Sequence, residues 1–434
     1  MNIKYTLTTI FVLLVMVIGF AQQTPAPKQT ETITLTGAIL HVGNGSVIEN
    51  GYLTFSDGII TAIGQNIMTA EGRTIDLEGQ HIYPGIIAPV SSLGLVEIDA
   101  VRQSRDDDEL GEYGPNIRSL IAYNAESQVV ESMRPNGVLM AQITPQGGVF
   151  SGTSSIVQFD AWNWEDAAVK TDDGVHLRWP NTYKRGRWWM GEDRGWKPNK
   201  NYKTQIQTIT DYFDRTKAYI SEQPEVPNQS LEALIGTLDG SKKVFVYADG
   251  VREIMDAISE LEQHGVSEIV LVGGYQADQI IPFLKRHDIP VLLDRVHSLP
   301  RQQDDDYDKP FRLPAILSNA GLTVGLNARG SMERMSTRNL PFYAGHAAGF
   351  GLTSEQALQL VTSNTANILG IGKRYGTLEI GKSATLFVSR GDALDMSTNQ
   401  LTHAFIDGRS ISLETHQTEL YQRYSQKYGH KTQR

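Results

Sequence analysis

The sequence predicts an α/β protein, a (β/α)8 TIM-like barrel joined to a β-sandwich subdomain to which both ends of the chain contribute. Two observations carry this. Residues 32–83 and 375–415 are both runs of short β-branched segments broken by turns, and neither is comfortably large enough to bury a core alone. Between them, continuous apolar runs alternate with amphipathic helical patterns, the mark of parallel strands covered on their outer side. A doubly wound sheet is the alternative for that centre.

The chain opens with Lys4, an apolar run from Ile10 to Phe20, and Gly19-Phe20-Ala21 as a small-x-small site. This is the pattern of a secretory signal peptide over residues 1–21, with the mature chain starting near Gln22. The apolar core is too short for the roughly 20 residues that span a bilayer. An exported product, periplasmic or extracellular, is therefore expected, with no stable membrane span. Residues 22–31 read as a flexible lead-in.

Next come short strands in "GAILHVGNGSVIENGYLTFSDGIITAIG", with "NGS", "ENG" and "SDG" as turn signals. The barrel is expected over 84–374. Its strands are "GVLMAQITP" (137–145), "KKVFVYADG" (242–250), "EIVLVGG" (268–274), "IPVLLDRV" (289–296) and "LTVGLNARG" (322–330). After the second of these, Val251, Ile254, Ala257, Ile258 and Leu261 have helical spacing. Residues from about 150 to 230 break the rhythm and hold all six tryptophans. They read as an insertion that covers its own core, or else lines an aromatic ligand cleft or a partner surface. Within it "SGTSS" (151–155) reads as a turn. "YGTLEIGKSATLFVSRG" and "LTHAFIDGRSISL" return to strands, and 416–434 form a C-terminal tail.

Composition excludes several function classes. A net charge of -10 and a pI near 5.5 argue against a nucleic-acid partner. With no cysteine there is no disulfide, thiolate zinc site or cysteine nucleophile. No Gly-x-Ser-x-Gly elbow occurs, and "GGVFSGTSS" lacks the lysine of a phosphate loop. The acid runs "SRDDDELGE" (104–112) and "RQQDDDYDKP" (301–310) lack the spacing of a calcium loop and read as solvated loop charge.

At "YPGIIAPVSSLGL", taken with both ends, the sequence resembles the amidohydrolase superfamily, especially its imidazolonepropionase-like branch. "DLEGQHIYPG" leads into the barrel, "GLTSEQALQLVTSNTANILGI" (351–371) resembles the last barrel helix, and "YGTLEIGKSATLFV" (375–388) the return to the β-sandwich. The resemblance implies a divalent metal held at four strand ends, the first reading Pro-Gly-x-x-Asp-x-His-x-His. On Pro84-Gly85 that pattern places Ala88 at the aspartate and Val90 and Ser92 at the two histidines. Tyr247 stands at the third histidine, Gly273 or Gly274 at the fourth, and Asn327 in the window of the last aspartate. Valine has no lone pair, and a lone serine hydroxyl is a poor ligand for such an ion. No cofactor is expected, and a divalent metal only if the protein is an active hydrolase.

The polar groups left near strand ends are Gln146, Tyr247, Asp249, Asp294, His297, Asn327 and Arg329. If the mouth binds a ligand, these are its contacts, the arginine favouring a carboxylate or other anion. His297, close to Asp294 in sequence, is a candidate general base. Alternatively Arg329 pairs with Asp294 or Asp249 and holds the mouth shut. The leading expectation is a protein that binds a small molecule or peptide, or partners an active paralogue or a second copy of itself, without metal-dependent hydrolysis. The other is a hydrolase of amide or other C–N bonds, as the resemblance implies, using a displaced metal or none.

Overall fold

A computed structural model describes residues 24–66, 69–186, 188–191, 193, 195–330 and 332–430. The expected signal peptide and its cleavage point lie outside the described residues. The chain begins as a meander of β1 (Ile33–His41), β2 (Val47–Ser56) and β3 (Ile59–Gln65), antiparallel in sequence order. Asp57 and Gly58 both adopt positive φ, +51° and +80°, the two-residue hairpin that "SDG" signals. β4 (Arg73–Asp76) and β5 (His81–Pro84) then pair with β1 in parallel.

The second sheet follows directly: β6 (Ile86–Ser91), β7 (Val138–Ile143), β8 (Phe150–Gln158) and β9 (Ala168–Arg178). A small ribbon of β10 (Tyr183–Arg185) and β11 (Trp196–Pro198) intervenes before β12 (Lys243–Ala248), β13 (Ile269–Gly273), β14 (Val291–Leu293) and β15 (Val324–Leu326). The ladder runs β6-β7-β8-β9-β12-β13-β14-β15, an eight-stranded, nearly closed barrel sheet. Every neighbouring pair is parallel except those of β8, which is antiparallel to both β7 and β9. Among the described residues no ladder joins β15 to β6. Helices Ser354–Val361 and Ser363–Ile368 touch both strands and cover that seam. The helix Val251–Gln263 buries Ile254, Ala257, Ile258 and Leu261, the face its spacing predicts.

Three readings of the sequence need correction. Residues 150–178 are not an insertion outside the barrel, because they supply β8 and β9. "SGTSS" is no turn but the middle of β8, wholly buried. Its hydroxyls are satisfied locally: Ser151 donates to the Gly147 carbonyl at 2.6 Å and Thr153 to the Pro115 carbonyl at 2.8 Å. A polar strand whose hydroxyls are all paired can be buried without an apolar run. The described tryptophan side chains of this stretch build no separate core either: Trp179 is buried, Trp164 is half-buried against the main core, and Trp162, Trp189 and Trp196 are exposed.

The lead-in is tied down over its described part. Ala26 N–H donates to Asp160 at 3.0 Å, and the Gln29 side chain accepts from Gly58 N–H and donates to the Phe55 carbonyl. The expected tail is a helix, His416–Tyr428, opened by a Thr415 capping box and closed by Gly429 at φ +66°.

The chain returns to the first sheet through β16 (Leu386–Ser389), β17 (Leu401–Ile406) and β18 (Arg409–Ser410), with β16 antiparallel to β5. Residues from both ends fill one core, in which Phe55 of β2 meets Phe405 of β17 edge-on at 5.0 Å. Phe405→Ala is therefore expected to lower stability by about 3–5 kcal/mol, measured by denaturant unfolding, although it lies in the core of the first sheet rather than in the barrel.

Candidate active site at the barrel mouth

β6, β7, β9 and β12–β15 run in one direction, so their C-terminal ends collect at one rim, where such a barrel carries its chemistry. Tyr247 on β12, Asp294 just past β14 and Arg329 past β15 meet there. Arg329 forks onto Asp294, Nε to Oδ1 at 2.9 Å and Nη2 to Oδ2 at 2.8 Å. Burial opposes the charge of Arg329, but the Asp294 hydrogen bonds and charge prevail and hold its pKa above the ordinary range. Its guanidinium lies 5.0 Å from the Tyr247 ring centroid, as does that of Arg178 at the end of β9. Arg178 in turn donates to Gln146 at 2.6 Å. Arg301, which opens the second acid run, donates to Asp249 at 2.6 Å and to Asp294 at 3.4 Å.

The other candidates do different work. Asn327 donates to the Leu292 carbonyl at 3.1 Å and accepts from Arg329 N–H at 2.8 Å, so it shapes the backbone. The hydrogen bond of His297 goes not to Asp294 but to His346, at 2.7 Å between ring nitrogens. Burial and the neighbouring His346 hold its pKa below the ordinary range. That pairing gives no support to a general-base role for His297 at the mouth.

Several participants carried no signal in the sequence reading. Glu333, in the helical turn Glu333–Ser336, reaches back to the end of β6. It accepts from Ser91 Oγ and Ser92 Oγ, both at 2.7 Å, and from Thr337 Oγ1 at 2.9 Å. Arg334 donates to Ser92 Oγ at 2.9 Å and pairs with Asp99. His176 of β9, fully buried, shares a 2.8 Å hydrogen bond with the Tyr247 hydroxyl. Burial pushes Tyr247 up to about 12 and, with the Arg178 charge, pulls His176 down to about 3, so both stay neutral near pH 7. Asp173, also buried, accepts from Ser154 at 2.7 Å and Gln142 at 2.8 Å, and burial lifts it to about 6. Gln142 was the one visible sign, a polar residue inside "GVLMAQITP".

The acid runs are not merely solvated. Asp107 is buried, 3.5 Å from Arg105 and 4.0 Å from Arg334. Asp305 accepts from the Tyr275 hydroxyl at 2.6 Å and pairs with Lys309 at 3.0 Å. Both loops are fastened around the mouth by ions they bring or find there.

These strand ends do not fit a divalent cation. Val90 is buried, at φ +54°, a strained conformation for a β-branched residue, held by its N–H bond to Gln142 at 3.1 Å. The Ser92 hydroxyl is shared between Glu333 and Arg334. Gly273 and Gly274 offer no ligand; a Cβ at Gly273 would sit 2.7 Å from Asp249 Oδ1, so glycine is what lets that carboxylate approach. Two guanidiniums stand at Tyr247, where a metal's charge would be repelled. Among the described residues no group of three or more His, Asp or Glu is placed to hold a metal ion.

Comparison with known proteins places this geometry. Residues 313–411 match the model of the amidohydrolase family. An amidohydrolase from Thermotoga maritima MSB8 superposes with a TM-score of 0.76 at 22% identity, over 88% of this chain and 99% of that one. A prolidase complexed with N-methylphosphonate-L-proline gives 0.54 at 14% identity, over 88% and 99%. A zinc-bound adenosine deaminase from Xanthomonas campestris gives 0.55 at 14%, over 93% and 98%. No curated protein matches the sequence.

Two outcomes test the network. Asp294→Ala leaves Arg329 partly buried without its counter-charge and should cost roughly 2–4 kcal/mol, a loss that Arg329→Met in the same chain partly restores. Asp173, raised from 3.8 to about 6, contributes stability below pH 4 that is lost as pH rises toward 6. The unfolding free energy of Asp173→Asn should therefore gain on wild type by up to about 3 kcal/mol between pH 4 and 7.

Proposed function

Proceeding from a chain with the amidohydrolase-superfamily fold, we propose that it is a non-catalytic version of that fold. It binds a small-molecule or peptide ligand, or partners an active amidohydrolase or a second copy of itself, without metal-dependent hydrolysis. One observation carries the reading: the side chains at the family's ligand positions are apolar, absent, or committed to protein partners. Arg178, Arg301 and Arg329 at the rim favour an anionic ligand such as a carboxylate. The sheet built from both chain ends is read as the family's β-sandwich subdomain. Export to the periplasm or beyond rests on the pattern of residues 1–21.

The second reading keeps a hydrolase of amide or other C–N bonds, with a displaced metal or none. It is favoured by the prolidase and deaminase among the solved relatives. Elemental analysis of dialysed protein, with a hydrolysis screen on Xaa-Pro dipeptides and cyclic amides, separates the two. Well under one equivalent of zinc, iron or manganese is expected, with no turnover whether or not metal is added. Val90→His with Ser92→His should not create tight metal binding, because the other strand ends supply too few ligands. Stoichiometric metal, or turnover that a chelator abolishes, would establish the hydrolase instead.

A further inference from the structure

Among the described residues β10 and β11 form a separate two-stranded sheet, paired only with each other, in the connection that leaves the end of β9. Its base is stapled: Thr182 N–H donates to Glu253 at 2.8 Å, and Asn199 donates to the Asn181 carbonyl at 2.8 Å and to Gln205 at 2.7 Å. Beyond that base, Tyr183, Trp189 and Trp196 are 54%, 69% and 70% exposed. An isolated two-stranded ribbon is marginal in water, and here the register makes it more so. Lys184 stands directly opposite Lys197, and Arg185 opposite Trp196. Like charges facing each other across a ladder are destabilising. Among the described residues neither lysine has an ion-pair partner. Among the described residues of 181–200, Lys184, Arg185, Lys197 and Lys200 are basic and only Asp193 is acidic, in a chain whose net charge is -10.

Basic side chains interleaved with tryptophan and tyrosine form the chemistry that seats at the headgroup level of a bilayer, the rings at the boundary and the cations on anionic headgroups. We propose that β10–β11 docks this protein peripherally on an anionic phospholipid surface. The segregation of charge matters, because an acidic protein is repelled by such a surface except through a cationic projection. A second copy of the chain is the less suitable occupant. The acidic groups it would offer at the mouth, Asp249, Asp294 and Asp305, are already paired within their own chain. Docking of this kind is independent of whether the barrel hydrolyses anything.

The test is flotation of the whole protein with vesicles of phosphatidylcholine alone and of phosphatidylcholine mixed with phosphatidylglycerol. Wild type should float with the anionic vesicles, stay behind with the neutral ones, and be released by salt. A basic residue at an anionic surface contributes about five-fold in partitioning, so Lys184→Gln with Lys197→Gln should weaken flotation by roughly 30-fold. Trp196→Ser should weaken it at constant charge. The double variant should keep or raise the melting temperature, since it relieves a like-charge pair; a lowered melting temperature would mean that the lysines serve the fold. Equal flotation of wild type and double variant, or no flotation at all, overturns the proposal. So does a concentration-dependent dimer that the same double variant dissolves, which would assign the ribbon to self-association.

Discussion

The forked Arg329–Asp294 pair is the constraint around which the barrel mouth is arranged. A guanidinium brought in past β15 is partly buried, and in a medium of reduced dielectric it must meet a carboxylate with good geometry. Asp294 supplies that geometry from the end of the neighbouring strand, β14. The rest follows from sharing: Asp294 also receives Arg301, which brings Asp249 with it, and Arg329 lies against Tyr247, whose hydroxyl pairs with His176. Burial makes the pairing obligatory for Arg329, Asp294, Tyr247 and His176, whereas Arg301 and Asp249 meet at the exposed edge of the mouth. The charged side chains at this rim are thus largely paired with one another, while among the described residues His176 Nε2 and Arg178 Nε stay buried without a hydrogen-bond partner.

A second buried charge fastens the barrel to the sheet beside it. Asp160, just past β8, accepts from Arg409 at 2.7 Å and from Ala26 N–H at 3.0 Å, with Arg134 at 3.9 Å. Three distant stretches, the lead-in, the barrel and the last strand, meet at one carboxylate. This pins the returning chain in place, and with it the core that Phe55 and Phe405 share. The polar residues Ser154, Asp173 and Gln142 do the corresponding work inside the barrel wall, where their mutual hydrogen bonds allow β7, β8 and β9 to be buried without being apolar.

Much of this is legible in the sequence. Continuous apolar runs revealed β7 and β12–β15, and the rule that barrel chemistry gathers at strand ends picked out Tyr247, Asp294 and Arg329. The same rule could not find Glu333, whose partners Ser91 and Ser92 lie some 240 residues away in the chain. Nor did it find His176 or Asp173, which lie on a strand next to one whose serines and threonines disguise it as a loop. What the sequence by itself determined is periodicity and chemistry, because apolar spacing, turn residues and the absence of imidazoles at the family's positions are local properties. Only the tertiary structure decided which charges neutralise which, that β8 runs against its neighbours, and that both acid runs are fastened at the mouth. Those depend on distances between residues far apart in the chain, and pairing energies exist only once burial has removed the water that would otherwise satisfy each group alone.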